Sequence, residues 1–262
     1  MRQDAQTNGN TKKYSSIIKY TQTRKEGFKY MHKIPQISFP EIKFYSIVPH
    51  DEPLMSISDA GILCDSQYYN EGIAGSYKDC YCRKTVLDKL KLAESYLPKG
   101  LKLKVYDAYR PICVQQRLWN QYYNTIKHNN LTYPEKKLVE LTQFFVSMPS
   151  TNIANPSLHN TGGAVDVTLV DKKGNELDMG TSFDDFSEHA WTDYYEKHND
   201  SRKIRKNRRI LYNAMIKAGF TNLPSEWWHY DYGTKMWGYF TGNDALYYGI
   251  LDFPADNRLP LE

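Results

Sequence analysis

Residues 157–169 read Ser157-Leu158-His159-Asn160-Thr161-Gly162-Gly163-Ala164-Val165-Asp166-Val167-Thr168-Leu169, with a histidine and an aspartate on either side of a glycine pair. Val165, Val167 and Leu169 alternate with polar residues, which predicts a strand whose apolar face lies in a core. A second segment, Glu226-Trp227-Trp228-His229-Tyr230-Asp231, places another histidine between two carboxylates. We expect the two segments to meet at a metal ion, and the rest of the chain to form a pocket around it.

The composition is that of an ordinary globular protein. The chain has 262 residues, of which 40% are hydrophobic and 24% charged, so it can bury one large core. The formal net charge of +4 comes from 34 basic and 30 acidic side chains, which is too balanced to indicate a nucleic-acid or membrane-surface partner. No apolar run approaches the roughly 18 residues of a membrane helix, and the polar N-terminus lacks a signal-peptide core. We therefore expect a cytoplasmic protein, or a periplasmic or secreted one if a leader was removed before residue 1.

Two regions are predicted. Residues 1–55 are polar and then proline-rich, which indicates an N-terminal arm and extended wrap, with a short helix near Tyr14–Tyr20 and edge strands around Ile42–Val48. Residues 56–262 are predicted to form a single domain.

The fold class predicted for this domain is α+β, with a small, mostly antiparallel sheet flanked by helices. Helical spacing of apolar residues predicts helices over Arg83–Leu97, from Pro111 through Ile126, from Pro134 to Phe145, and over Ser201–Ala218. Alternation predicts strands at Leu101–Asp107, at Val165–Leu169 and in the segment around His229, and the aromatic residues at 237–240 suggest another.

Two further patterns favour structural over functional interpretations. Basic residues at 203–209 could form an RNA-binding patch, but on a helix with an apolar stripe they favour a solvated face. The four cysteines are interpreted as inert thiols rather than as a nucleophile or half of a metal site: Cys64, Cys80, Cys82 and Cys113.

The chemistry most compatible with the two segments is that of a catalytic zinc, which takes three protein ligands and leaves one position for water. His159, Asp166 and His229 could supply the ligands, and Glu226 a general base. Asp231 would hold a ligand histidine in place. A histidine in a strand is more often structural than a ligand, so spacing alone leaves both interpretations open. The same structural interpretation applies to His32, His50, His128 and His198, while His189 is undecided.

Four motifs, in this order and spacing, resemble those of the D-alanyl-D-alanine dipeptidases, the zinc peptidases that include the vancomycin-resistance enzymes. The resemblance covers roughly residues 70–250. Its motifs are Asp107-Ala108-Tyr109-Arg110-Pro111, Ser157-x-His159-x-x-Gly162-x-Ala164-x-Asp166, Met179-Gly180-x-x-Phe183-Asp184 and Glu226-Trp227-Trp228-His229.

The resemblance implies a hedgehog/D,D-peptidase-like fold and hydrolysis of D-Ala-D-Ala to two D-alanines. It implies one Zn²⁺ per chain, held by His159, Asp166 and His229, with zinc-bound water activated by Glu226. Arg110 would stabilise the oxyanion. The residues implied to bind the substrate are Asp184, at its free amino group, and Ser157, near its carboxylate. The implied partner is a small D-amino-acid dipeptide, with no nucleic acid and no membrane.

The chain departs from the family before residue 70. The family's Tyr-Ala-Thr segment is missing ahead of Asn70, so the tyrosine that helps to bind the amino group has no clear counterpart. Three alternatives stay open. They are a D,D-carboxypeptidase or related peptidoglycan peptide hydrolase, a catalytically inactive zinc-bearing module like the hedgehog domains, and a nucleic-acid binder using residues 202–209.

Overall fold

A small sheet built around the segment quoted first organises the structure. The computed structural model describes residues 32–36, 51–152, 155–245 and 258–260. In chain order its strands are β1 (Leu54–Ser56), β2 (Leu63–Cys64), β3 (Tyr81–Arg83), β4 (Lys102–Asp107), β5 (Ala164–Val170), β6 (Thr221–Asn222) and β7 (His229–Asp231). Its helices are α1 (Gln67–Asn70), α2 (Lys84–Ser95), α3 (Ile112–Asn129), α4 (Glu135–Phe145), α5 (Tyr194–Lys197), α6 (Arg202–Ala218) and α7 (Lys235–Thr241).

The main sheet has five strands in the order β2-β4-β5-β7-β6. Strand β2 is parallel to β4, and every other pairing in this sheet is antiparallel. Strands β1 and β3 form a separate antiparallel pair. The predicted α+β class with a mostly antiparallel sheet is confirmed.

Strand β5 lies at the centre of the sheet, and all seven of its residues are buried. Val165, Val167 and Leu169 enter the main core, as the alternation predicted. Asp166 and Thr168, on the opposite face, are also buried, at 2% and 1% exposure. A carboxylate buried this deeply requires partners, which places chemistry on that face of the sheet.

Helices α2 and α6 pack against each other over the core face of the sheet. Helix α6 begins at Ser201, whose side chain accepts a hydrogen bond from the Ile204 amide, and ends at Gly219 in the left-handed conformation. The helices predicted over Arg83–Leu97, from Pro111, from Pro134 and over Ser201–Ala218 correspond to α2, α3, α4 and α6.

The strand suggested at residues 237–240 is wrong, because this segment lies in helix α7. The side chain of Thr234 caps the helix by accepting a hydrogen bond from the Trp237 amide, and Gly242 ends it at a φ of 74°. The cap and the buried face formed by Met236, Trp237 and Phe240 outweigh the strand preference of the aromatic residues.

The solvated face predicted for residues 203–209 needs a second correction. Lys203 and Lys206 are exposed, but Arg208 is buried at 2% exposure and donates hydrogen bonds to three backbone carbonyls. Arg209 forms an ion pair with Glu196. One side of this basic segment is therefore buried or paired, which its charge alone did not predict.

The remaining predictions concern the N-terminal elements, the cysteines and the absence of a membrane helix. The helix near Tyr14–Tyr20 and the edge strands around Ile42–Val48 lie outside the described residues. All four cysteines are free, with Cys80 and Cys82 buried and Cys64 and Cys113 partly exposed. In the part of the chain that the structure describes, no helix combines the length and apolar character that crossing a membrane requires.

Candidate metal centre and active site

The sheet register brings the two key segments together. Asp166 on β5 pairs directly with His229 on β7. His159 lies just before β5, in a short 3₁₀ turn over His159–Thr161 that ends at Gly162 with a φ of 70°. A Cβ atom at Gly162 would lie 2.6 Å from Leu54 Cδ2, so both backbone conformation and space favour glycine here.

Ligand atoms of His159, Asp166 and His229 all lie within 4.8 Å of one another, and all three residues are buried. His159 Nδ1 donates to the Ala108 carbonyl at 2.8 Å, which leaves the lone pair on Nε2. His229 Nε2 lies 3.0 Å from Asp231 Oδ2, so donation to this carboxylate leaves the lone pair on Nδ1. Asp231 thus has the position predicted for a partner of a ligand histidine.

The two lone-pair nitrogens, His159 Nε2 and His229 Nδ1, face each other at 3.1 Å. Asp166 oxygens lie 3.5 Å from His159 Nε2 and 3.2 Å from His229 Nδ1, and Asp166 Oδ1 has no hydrogen-bond partner. Three buried electron-pair donors facing one another repel unless a cation lies between them. The set of two imidazoles and one carboxylate fits a zinc ion with an open fourth position.

The pKa values reflect the same concentration of charge. Burial alone raises the pKa of Asp166, but His159 and His229 reverse this and hold it below its ordinary range. Burial lowers the pKa of His229, yet the carboxylates of Asp231 and Asp166 raise it well above its ordinary value. Without a cation, these carboxylates therefore favour a proton on His229. A bound metal ion would take the place of that proton, since a ligand imidazole must be deprotonated.

Arg110 follows β4 and lies beside this centre. Its Nε donates to Asp107 Oδ2 at 3.0 Å and its Nη1 to Gln115 Oε1 at 2.9 Å. Its Nη2 lies 3.6 Å from Asp166 Oδ2. Sequence reasoning did not single out Asp107 or Gln115 as the groups that fix this guanidinium, although both lie close to it in the chain.

Glu226 approaches the metal centre from the bend after Pro224, as the sequence indicated. Its Oε2 lies 3.8 Å from His229 Nδ1. Its carbonyl accepts hydrogen bonds from Asn222 Nδ2 at 3.0 Å and from Thr192 Oγ1 at 3.2 Å, which fix the bend. Burial raises the pKa of Glu226 to about 7, so this carboxyl can both accept and release a proton near neutral pH.

Asp184 lies across the site, in the segment after β5. It has a φ of 55°, in a region that non-glycine residues seldom adopt. Its Oδ2 accepts a hydrogen bond from the Tyr68 hydroxyl at 2.9 Å, and this hydroxyl also accepts one from Arg110 Nη2 at 3.1 Å. Burial raises the pKa of Asp184 to about 8, against the lowering effect of Arg110.

Tyr68 is another residue that sequence reasoning missed. It comes from the short helix α1 and meets Asp184 across 116 positions of the chain. The only signal was the glycine- and tyrosine-rich composition of residues 59–79, which does not single out one tyrosine. Tyr68 therefore supplies a hydroxyl to the Asp184 carboxylate from a position that no local pattern identified.

One cavity of about 270 Å³ is lined by all seven residues that the sequence proposed as metal ligands, catalytic groups or substrate-binding groups. Ser157 lies in its wall and donates to the Met148 carbonyl at 3.3 Å. His189 does not line the cavity; its ring packs 4.5 Å from that of Tyr194. The apolar part of the wall includes Leu118, Tyr122, Phe145, Val146 and Phe186.

Comparison with known proteins agrees with the motif resemblance. A family model described as D-ala-D-ala dipeptidase, of peptidase family M15, matches residues 64–246. A D-alanyl-D-alanine dipeptidase from Synechocystis sp. is 30% identical over 209 residues, which are 72% of this chain and 85% of the relative. The Escherichia coli enzyme of the same name is 33% identical over 133 residues, covering 50% of this chain and 55% of the relative. One from Enterococcus faecium is 29% identical over 185 residues, 65% of this chain and 85% of the relative.

Proposed function

The chain belongs to the D-Ala-D-Ala dipeptidase family of metallopeptidases, and we propose that it hydrolyses D-Ala-D-Ala to two D-alanines with one zinc ion per chain. The proposed ligands are His159, Asp166 and His229. The observation that carries the proposal is the convergence of three buried electron-pair donors, with a carboxyl oxygen of Glu226 only 3.8 Å from one of them, His229 Nδ1. When bound there, zinc would lower the pKa of a coordinated water molecule and polarise the scissile carbonyl.

Glu226 is proposed as the general base. Its carboxylate takes a proton from the attacking water and delivers it to the nitrogen of the departing D-alanine, so that the same group acts as base and then as acid. A pKa near 7 suits both steps. The hydrogen bonds from Asn222 and Thr192 to the Glu226 backbone carbonyl fix the backbone from which this side chain extends.

Arg110 is proposed to stabilise the negative charge that develops on the carbonyl oxygen. Asp107 and Gln115 hold the guanidinium in one orientation before substrate arrives, and Arg110 itself is only 9% exposed. A donor that is already oriented in a water-poor site needs no reorganisation during the reaction. This arrangement supports a role in the transition state beyond simple substrate attraction.

Asp184 and Tyr68 are proposed to bind the free amino group of the dipeptide. The Asp184 carboxylate supplies the charge, and the Tyr68 hydroxyl keeps it oriented through a 2.9 Å hydrogen bond. At the opposite end of the substrate, Ser157 is proposed to contact the carboxylate. Apolar side chains of the cavity, such as Leu118 and Phe145, would pack against the methyl groups.

The nearest alternative is a D,D-carboxypeptidase or related hydrolase, which acts on an acylated peptide. An acylated substrate would leave the Asp184 carboxylate without a cationic partner, at a cost of about 1–3 kcal/mol. An inactive module has no need of both Glu226 and Arg110 beside the metal centre. A nucleic-acid surface at 202–209 is disfavoured because Arg208 is buried and Arg209 is paired.

The deciding experiment compares two substrates on the purified, zinc-loaded protein. We expect D-Ala-D-Ala to be cleaved with a kcat/KM roughly 10- to 100-fold above that of N-acetyl-D-Ala-D-Ala. The difference should shrink in Asp184→Asn, which removes the charge that selects the amine. Cleavage of the acetylated peptide alone would replace this proposal with the carboxypeptidase alternative.

A further inference from the structure

Arg208, on α6, is a buried cation outside the site described above. Its hydrogen bonds in the described part of the chain go to backbone carbonyls: Nε to Met179 at 2.8 Å, Nη1 to Trp191 at 2.6 Å and Nη2 to His189 at 2.7 Å. A planar guanidinium can reach three acceptors that diverge in this way, whereas an ammonium group cannot hold the same fork.

Burying a charge is costly, and an apolar side chain of similar volume would often stabilise a core equally well. Arg208 is 2% exposed, with its guanidinium 4.8 Å from the ring centre of Tyr195 and 5.9 Å from that of Trp227. Burial lowers its pKa to about 10, so it stays charged at neutral pH. Its location therefore calls for a reason beyond filling space.

The positions in the chain of the three carbonyl groups that Arg208 binds indicate why the charge is buried here. Met179 and His189 lie at the two ends of the segment that carries Asp184, so Arg208 fastens both ends of one substrate-binding loop. Asp184 itself has a strained φ of 55°. Such a conformation persists only where the surrounding structure fixes it.

The same segment is also joined to the bend that carries Glu226. The Ala190 carbonyl accepts from the Trp227 amide at 3.0 Å, and the Thr192 amide donates to the Pro224 carbonyl at 2.9 Å. Thr192 Oγ1 lies 3.2 Å from the Glu226 carbonyl, which it contacts as a donor. Trp191, the third acceptor of Arg208, lies between these two attachments.

We propose that Arg208 is a positioning residue that couples the amine-binding carboxylate, Asp184, to the general base, Glu226. It acts by fixing the segment 179–192 through three carbonyls and touches neither substrate nor metal. The inference rests on the proposed function, since it assigns Arg208 a role in the same reaction.

The kinetic test is a double-mutant cycle. Arg208→Lys keeps the charge but loses the fork, and it should raise KM for D-Ala-D-Ala roughly tenfold or more. In an Asp184→Asn background the same change should raise KM by less than about threefold, because the group through which Arg208 acts is already gone. Equal factors in both backgrounds would overturn the proposal.

The matched control is Arg209→Gln, at the next position of α6. The ion pair between Arg209 and Glu196 lies outside the site, so this substitution should leave KM unchanged.

A second measurement does not depend on activity. In the metal-free protein, Arg208→Lys should speed amide hydrogen exchange in residues 180–192 and 224–227, while exchange within α6 stays as in the wild type. Unchanged exchange in both segments would overturn the proposal. If the wild type fails to cleave D-Ala-D-Ala, the proposed function fails on its own, and the exchange experiment still tests whether Arg208 fixes the loop.

Discussion

Glu226 carries the proposed proton transfers, and its replacement tests them directly. Glu226→Gln keeps the size of the side chain but removes its ability to take a proton. We expect turnover of D-Ala-D-Ala to fall by roughly 10²- to 10⁴-fold while zinc content stays at one per chain. Steady-state kinetics and metal analysis of the same sample measure both. Glu140→Gln, which is exposed on α4 and does not belong to the cavity wall, is the control and should change turnover by less than about twofold. Wild-type turnover in Glu226→Gln would remove Glu226 from the mechanism.

The ionisation of the Asp184 carboxyl should make substrate binding depend on pH. Burial raises the pKa of Asp184 to about 8, so below this pH the free protein must release a proton to pair with the substrate ammonium. KM should therefore fall as pH rises from about 6 to about 8, then rise again as the substrate amine, with a pKa near 8, loses its own proton.

Asp184→Asn is the control for this pH dependence, because an amide does not titrate. Its KM should be higher than that of the wild type and should lose the fall between about pH 6 and pH 8. Zinc content is measured at each pH, so that metal loss is not mistaken for weaker binding. A wild-type KM that does not change over this range would contradict the assigned role.

Gly162 shows how one element depends on one residue, since it ends the 3₁₀ turn between two proposed ligands. Gly162→Ala would add a Cβ at a φ of 70°, within 2.6 Å of Leu54 Cδ2. Gly174→Ala is a matched control at a φ of 84° with nothing within 4 Å of the added atom. We expect the control to lose about 1 kcal/mol of unfolding free energy, and Gly162→Ala to lose about 2–4 kcal/mol. Denaturant unfolding measures both, and equal losses would show that the contact with Leu54 is unimportant.

Elements with a clear local pattern could be predicted from the sequence. Helical spacing located α2 and α6, and alternation located β5, because each buries one regular face. Helix α7 could not be distinguished from a strand in this way. It has only seven residues, its aromatic side chains also suit a sheet, and the Thr234 cap by itself does not predict a helix. Arg208 was misjudged because charge indicates a solvated side chain, and its carbonyl partners lie 17–29 residues earlier in the chain.

The seven site residues proposed from the sequence all line one cavity, because their motifs lie at the ends of elements that the sheet brings together. The residues around them were harder to find. Tyr68 meets Asp184 across 116 positions, and no local pattern encodes a contact of that range. Tertiary structure therefore added the groups that orient the site, while the motifs had supplied the groups proposed to react.

At the scale of the whole molecule, the buried cluster of donors links metal binding to stability. A ligand that binds only the folded state stabilises it, by about 2.7 kcal/mol at a concentration one hundred times Kd. For a chain of this size, removal of zinc with a chelator should lower Tm by roughly 5–10 °C, and added zinc should restore it. Thermal unfolding measures the shift. His229→Ala, which removes one proposed ligand, should respond to neither treatment, and a wild-type Tm insensitive to both would count against a metal at this site.

The proposed zinc-dependent hydrolysis is tested most directly by a zinc titration of the metal-free protein, in which the release of D-alanine from D-Ala-D-Ala is followed. We expect no release at the start, a linear rise in rate that levels off at one zinc per chain, and two D-alanines for each dipeptide consumed. Full activity in the metal-free protein, or no D-alanine at any zinc concentration, would contradict the proposal.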